Sequence, residues 1–143
     1  MGRFLIAIAA ATFVALLGMS LLFYVRREPE PFDGGGSVMK YYRSFKAANR
    51  SSQPMVIAGT CGSSCTMKLG IKRICIDPNA TLLFHQATLF GVRSEYGTKI
   101  LMSMYPKNIQ NWVRQNGALN RNELTRMTGR EAIRMGIRSC VGS

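Results

Sequence analysis

Ser63 and Ser64 stand in a run of small residues, Ala58-Gly59-Thr60-Cys61-Gly62-Ser63-Ser64-Cys65-Thr66. The run follows an apolar triplet, Met55-Val56-Ile57, that reads as a buried strand, and Met67 and Leu69 resume an apolar pattern as a helix would. Small residues let the chain turn sharply and let other backbone come close. A serine at such a strand-to-helix elbow holds its hydroxyl near a helix N-terminus, where nucleophiles are displayed and negative charge is tolerated. The same composition also suits a plain tight turn, so the elbow alone assigns no chemistry.

His85, the only histidine, closes the apolar run Thr81-Leu82-Leu83-Phe84. Imidazole is the side chain best suited to serve as a general base near neutral pH. Parallel strands bring their C-terminal ends to one edge of a sheet, which would let Ser63 and His85 face one crevice. Gly34-Gly35-Gly36-Ser37 opens the next candidate element. It contains no Gly-Lys-Ser/Thr and no G-x-G-x-x-G, which excludes a phosphate loop. Glycines at a helix start can instead offer backbone N–H groups to an oxyanion, and helix capping explains them equally well. A Ser–His pair beside such a turn is a constellation for acyl transfer.

The elements that must position these residues read as strands alternating with helices, an α/β class with parallel strands. An amphipathic helix is expected from about Ser37 to Asn49, with Val38, Tyr41, Tyr42, Phe45 and Ala48 at helical spacing. Arg73-Ile74-Cys75-Ile76 and Thr81 to Phe84 read as strands around an Asp77-Pro78-Asn79 turn. Gly91 to Gly97 reads as loop. A helix from about Thr98 to Gln115 should be split or kinked at Pro106. Thr128-Gly129-Arg130-Glu131 matches a capping box, opening a last helix that closes at Gly136.

Phe4 to Val25 is 22 residues without a charge, flanked by Arg3 and Arg26-Arg27. That length suits a membrane span, without a clear cleavage site. The expected organisation is a transmembrane anchor over 1–27, a proline-rich linker over 28–33 and one small domain over 34–143. Net charge is +12, from 19 Lys+Arg against 7 Asp+Glu, spread along the chain. That suits a neighbouring anionic membrane. Without basic runs interleaved with aromatics, or a helix-turn-helix, nucleic acid is not an expected partner.

Cys61, Cys65, Cys75 and Cys140 are an even set that allows three pairings and points to an oxidising compartment. A Cys61–Cys65 bond would stiffen the elbow, and a Cys75–Cys140 bond would close a long loop. Cys61, Cys65 and Cys75 with His85 make a conceivable zinc quartet, but the spacing is unusual for one. No metal and no cofactor are expected.

Taken together, these motifs resemble the Clp-protease/crotonase superfamily, most closely its small bacterial periplasmic Clp-like proteins. The matching elements, in order, are Gly35-Gly36, then Gly59-Thr60-Cys61-Gly62-Ser63-Ser64-Cys65, then Leu83-Phe84-His85-Gln86, then the tail from Thr128 to Ile137. The resemblance implies a truncated Clp/crotonase-like βα domain preceded by one transmembrane helix. It places Ser63 as nucleophile, His85 as general base, and the N–H groups of Gly35 and Gly36 as an oxyanion hole. It further implies a single-pass protein of the bacterial inner membrane, with a periplasmic C-terminal domain acting on a peptide or acyl substrate. A non-catalytic relative binding a peptide or partner is the alternative. The chain departs from the pattern twice. No Asp precedes the closing segment, which leaves Glu123 nearest the acid position. No strand is expected before the glycine turn either, so the sheet should lack an edge and the protein should self-associate.

Overall fold

The structure is a computed structural model that describes residues 31–52 and 54–141. Residues 1–27, read above as a transmembrane anchor, lie outside the described residues, as does the first half of the linker. Among the described residues no helix is long and apolar enough to cross a membrane. The fold class is therefore corrected to α/β with mixed sheets, without a membrane-spanning helix among the described residues.

Strand β1 (Phe32–Asp33) leads through the glycine turn into helix α1 (Val38–Ser51), followed by β2 (Met55–Ile57) and β3 (Thr60–Gly62). A 3-10 helix (Ser63–Gly70) follows, then β4 (Ile74–Ile76), β5 (Thr81–Phe84) and a small hairpin of β6 (Thr88–Leu89) and β7 (Val92–Arg93). Helices α2 (Glu95–Met104) and α3 (Lys107–Gln115), strand β8 (Thr125–Thr128) and helix α4 (Gly129–Arg134) complete it. The main sheet runs β1-β3-β5-β8, and β2 pairs with β4 in a second, two-stranded sheet.

Three sequence expectations change here. The strand feeding the elbow is β3, built from the small residues themselves, whereas Met55–Ile57 belongs to the other sheet. Cys61 and Gly62 are buried in a strand flanked by β1 and β5. Phe32 and Asp33 are sheet and not linker: they pair in parallel with Thr60 and Cys61. The glycine turn therefore does have a strand to position it, though one of only two residues. Finally, β8 pairs antiparallel with β5, which makes the sheet mixed. Its sequence, Thr-Arg-Met-Thr, carries one apolar side chain, buried Met127, too little for a hydrophobic pattern to reveal.

Other elements lie where their residues suggested. Pro106 splits the long helix into α2 and α3, having no N–H to continue the ladder. The capping box forms at Thr128 and Glu131. Gly91 to Gly97 is not plain loop, because the Phe90-Gly91 pair, both at positive φ, turns a hairpin. The core gathers Ile57, Met67, Leu69, Ile76, Leu82, Phe84, Leu101, Ile109 and Met127, all buried. The 3-10 helix passes through this core, with Ser64, Cys65, Thr66, Met67 and Leu69 buried. The elbow is thus embedded, and only Ser63 and Lys68 of its first six residues are partly exposed.

Candidate active site

Ser63 sits between β3 and the 3-10 helix with φ of 54°. That left-handed backbone is uncommon for a residue with a Cβ, and it persists only where surroundings enforce it. Three contacts enforce it here. A disulfide joins Cys61 to Cys65 across the elbow, with Cα atoms 5.4 Å apart. Thr66 Oγ1 donates to the Ser63 carbonyl at 2.6 Å and shares a second hydrogen bond, 2.7 Å, with the hydroxyl of Tyr105. Burial holds that Tyr105 hydroxyl neutral by pushing its pKa up. Gly35, at φ of 82°, lies directly on the elbow, so close that a Cβ there would meet the Gly62 carbonyl at 2.6 Å and the Ser63 Cβ at 2.7 Å.

His85 follows β5. Gly62 is paired with Leu83 in the parallel β3–β5 register. Ser63 and His85 therefore leave the C-terminal ends of neighbouring strands, which run about 4.8 Å apart. Both are half-buried. Among the described residues no hydrogen bond joins them. The strand end beyond His85 is nonetheless fixed. Gln86 N–H donates to the Arg121 carbonyl at 2.9 Å, and Ala87 N–H to Thr98 Oγ1 at 3.2 Å. The Gln86 amide donates to Asn122 Oδ1 at 3.0 Å and accepts from Arg93 at 2.8 Å.

The glycine turn is closer to the elbow than the sequence disclosed, and its N–H groups are engaged. Gly36 N–H donates to Ser64 Oγ at 2.8 Å, and that hydroxyl donates back to the Gly36 carbonyl at 3.0 Å. Gly35 N–H donates to Asp33 Oδ1 at 3.0 Å. Neither donor of the expected oxyanion hole is therefore free in this structure. An incoming oxyanion would have to replace Ser64 Oγ or Asp33 Oδ1 as acceptor. The Ser64 N–H, at the first turn of a helix, has no acceptor within that helix.

Glu123 is exposed on the loop before β8 and makes no hydrogen bond among the described residues. The structure does not bring it onto the imidazole. Its neighbours Arg121 and Asn122 are the ones that reach the His85 strand end, through Gln86. The zinc quartet is overturned: Cys61–Cys65 and Cys75–Cys140 are disulfides, so none of the four is a thiolate ligand.

Asp33, within the expected linker, and Ser64, beside the expected nucleophile, both hold the glycine turn. Asp33 accepts from Gly35 N–H, from the Tyr41 hydroxyl at 2.6 Å, and from Lys68 Nζ at 3.2 Å. It thereby ties the turn to α1 and to the 3-10 helix. The signal was present: an Asp two residues before a Gly is an Asx-turn signature. Partial burial pushes the Asp33 carboxyl up, but the bonds from Tyr41, Gly35 and Lys68 outweigh it and hold the group below its usual range. The same contact raises Tyr41 to about 12, chiefly through its hydrogen bond to Asp33.

The signs give this clamp a pH window. A depressed Asp33 contributes stability that is complete above its unfolded value of 3.8 and is lost as pH falls below it. A raised Tyr41 contributes stability that is complete below 10.0 and is lost as pH climbs towards about 12. The stability difference between wild type and Asp33→Asn is therefore expected to be flat from pH 5 to 9, shrinking on either side. Urea unfolding at stepped pH measures it, and a difference that changes between pH 5 and 9 would contradict the assignment.

Beside the site, an apolar cleft of about 400 Å³ runs between the start of α1 and the segment after His85. Gly36, Val38 and Met39 line one wall, and Ala87, Leu89 and Ile100 the other. No protein-family model matches this chain, and no curated protein matches it.

Proposed function

We propose that this chain is a serine hydrolase of the Clp-like kind, acting slowly on peptide or acyl substrates through Ser63 and His85. The observation that carries the reading is the backbone of Ser63. A non-glycine residue held at positive φ, at the tip of a buried strand and under a glycine turn, is an arrangement that holds a nucleophile at an elbow. The adjoining apolar cleft suits an uncharged side chain or acyl chain of moderate size. Two disulfides suit an oxidising compartment such as the bacterial periplasm. Among the described residues no strand pairs with the outer edge of β1, where Phe32 is exposed, and such an edge suits self-association.

The slow turnover follows from the imidazole's surroundings: among the described residues no carboxylate hydrogen-bonds to it, which leaves its tautomer and orientation without that control. In a serine protease triad, replacing the acid by its amide costs about 10⁴ in turnover, or ~5 kcal/mol of barrier. Incubation with a fluorophosphonate is expected to label the wild-type chain slowly, Ser63→Ala not at all, and His85→Ala far more slowly still. Glu123→Gln is expected to leave the rate unchanged, because nothing in the fold holds that carboxylate against the ring.

The engaged N–H groups of Gly35 and Gly36 favour one second reading, a non-catalytic crevice that binds a peptide or partner. Labelling that is absent from wild type, or that survives Ser63→Ala, would overturn the hydrolase reading and leave this one.

A further inference from the structure

Three arginines line one cleft of about 410 Å³ on the opposite end of β5 from His85. Arg126 comes from β8, and Arg130 and Arg134 from α4. Pro78, Asn79 and Ala80 form the other wall. The cleft is centred on the Ala80–Thr128 end of β5 and shares no lining residue with the apolar cleft beside Ser63 and His85. It is a separate place on the molecule and does not depend on the reading of Ser63.

The walls are joined firmly. Gly129 N–H donates to the Ala80 carbonyl at 2.7 Å. Gly129 is so close to the turn below that a Cβ would overlap the Asp77 carbonyl. The arginines are thus presented from a fixed frame. Their sequence spacing, four and four, puts Arg130 above Arg134 on one face of the helix. Like charges in that arrangement repel.

The protein offers little to relieve them. Arg126 donates to Thr81 Oγ1 at 3.3 Å and Arg130 to Asn79 Oδ1 at 3.5 Å, both neutral acceptors. Arg134 makes no hydrogen bond among the described residues. Among the described residues the one carboxylate lining the cleft is Glu131; its charge attracts Arg134 and Arg126 while its Oε2 accepts from the N–H and the hydroxyl of Thr128, which leaves one negative charge against three positive ones. Each guanidinium has five N–H donors in a fixed fork, so most of the donors here are unspent. An arginine fork pairs with carboxylate or phosphate oxygens alike, and three of them around one cleft suit a doubly charged group with three free oxygens better than a singly charged one with two.

We propose that this cleft binds a phosphomonoester, with Arg126, Arg130 and Arg134 on its oxygens. The group is either free in solution or the head of a lipid. Titration calorimetry of inorganic phosphate into the full-length chain, with ionic strength held constant by chloride, is expected to show saturable binding. Replacing all three arginines by glutamine should weaken it by about tenfold or more. Arg134→Gln alone, the change with least consequence for folding, should also weaken it measurably.

Vesicles distinguish the two sources. An arginine-dependent preference for phosphatidic acid over phosphatidylglycerol at equal charge assigns a lipid headgroup. Phosphate binding without that preference assigns a soluble ligand. Heat no greater than that of chloride, or phosphate binding undiminished in Arg134→Gln and in the triple variant, would overturn the site.

Discussion

Cys75→Ser with Cys140→Ser is expected to destabilise the domain by about 4 kcal/mol, from the loop-entropy relation for a closure of this length. The bond links positions 65 apart in sequence, with Cα atoms 4.9 Å apart. Its weight comes from what it closes. The C-terminal segment lies along β4 through Ile76 N–H to the Arg138 carbonyl, 2.9 Å, and Cys140 N–H to the Ile76 carbonyl, 3.0 Å. Without the disulfide those few bonds must hold the segment alone. Cys61→Ser with Cys65→Ser opens a far shorter loop and should cost about 2 kcal/mol by the same relation. Its larger effect should be local, loosening the backbone of Ser63. Urea unfolding of the two double variants separates these roles. Equal losses would mean that loop length does not govern them, and no loss at Cys75–Cys140 would remove the bond from the account of stability.

Gly35→Ala is expected to cost roughly 2–4 kcal/mol and to abolish fluorophosphonate labelling while Ser63 and His85 remain in place. Two effects add. The φ of 82° strains any residue with a Cβ, and that Cβ would press on the Gly62 carbonyl at 2.6 Å and on the Ser64 nitrogen at 2.9 Å. Both are backbone atoms of the elbow and have no rotamer by which to move aside. The glycine turn must lift, which breaks the paired bonds between Gly36 and Ser64 Oγ. Gly91→Ala is the control. Its φ of 79° is nearly the same, but nothing lies within 4 Å of the added methyl. It should carry the strain alone, about 1–2 kcal/mol, and leave labelling intact. If the two variants unfold alike, the close packing of turn on elbow is not what matters. If Gly35→Ala still labels at the wild-type rate, the turn takes no part in the site.

Much of this protein was written in short-range patterns. Helix α1, the break at Pro106, β5 and the capping box at Thr128 and Glu131 each follow from a local periodicity or a single residue's stereochemistry. His85 follows an apolar run that is indeed β5, but the strand that ends at Ser63 is β3, and the apolar run expected there, Met55–Ile57, belongs to the other sheet. The two cysteine bonds were among the alternatives that the sequence left open, and proximity in the folded chain made both.

Other features are invisible to periodicity because they are contacts between distant segments. A buried strand made of Thr60, Cys61 and Gly62 has no hydrophobic signature; its neighbours make it a strand. Asp33 becomes the clamp of the glycine turn only once Tyr41 and Lys68 converge on it from two helices. The N–H groups of Gly35 and Gly36 were countable in the sequence, but their occupation by Asp33 and Ser64 was not. Glu123 was chosen by position along the chain, and the fold leaves it in solvent. Types and spacings set which chemistry is conceivable, because they are properties of the residues themselves. Which groups meet, and which donors remain free, is decided by packing, because a hydrogen bond exists only when tertiary structure brings two atoms within about 3 Å.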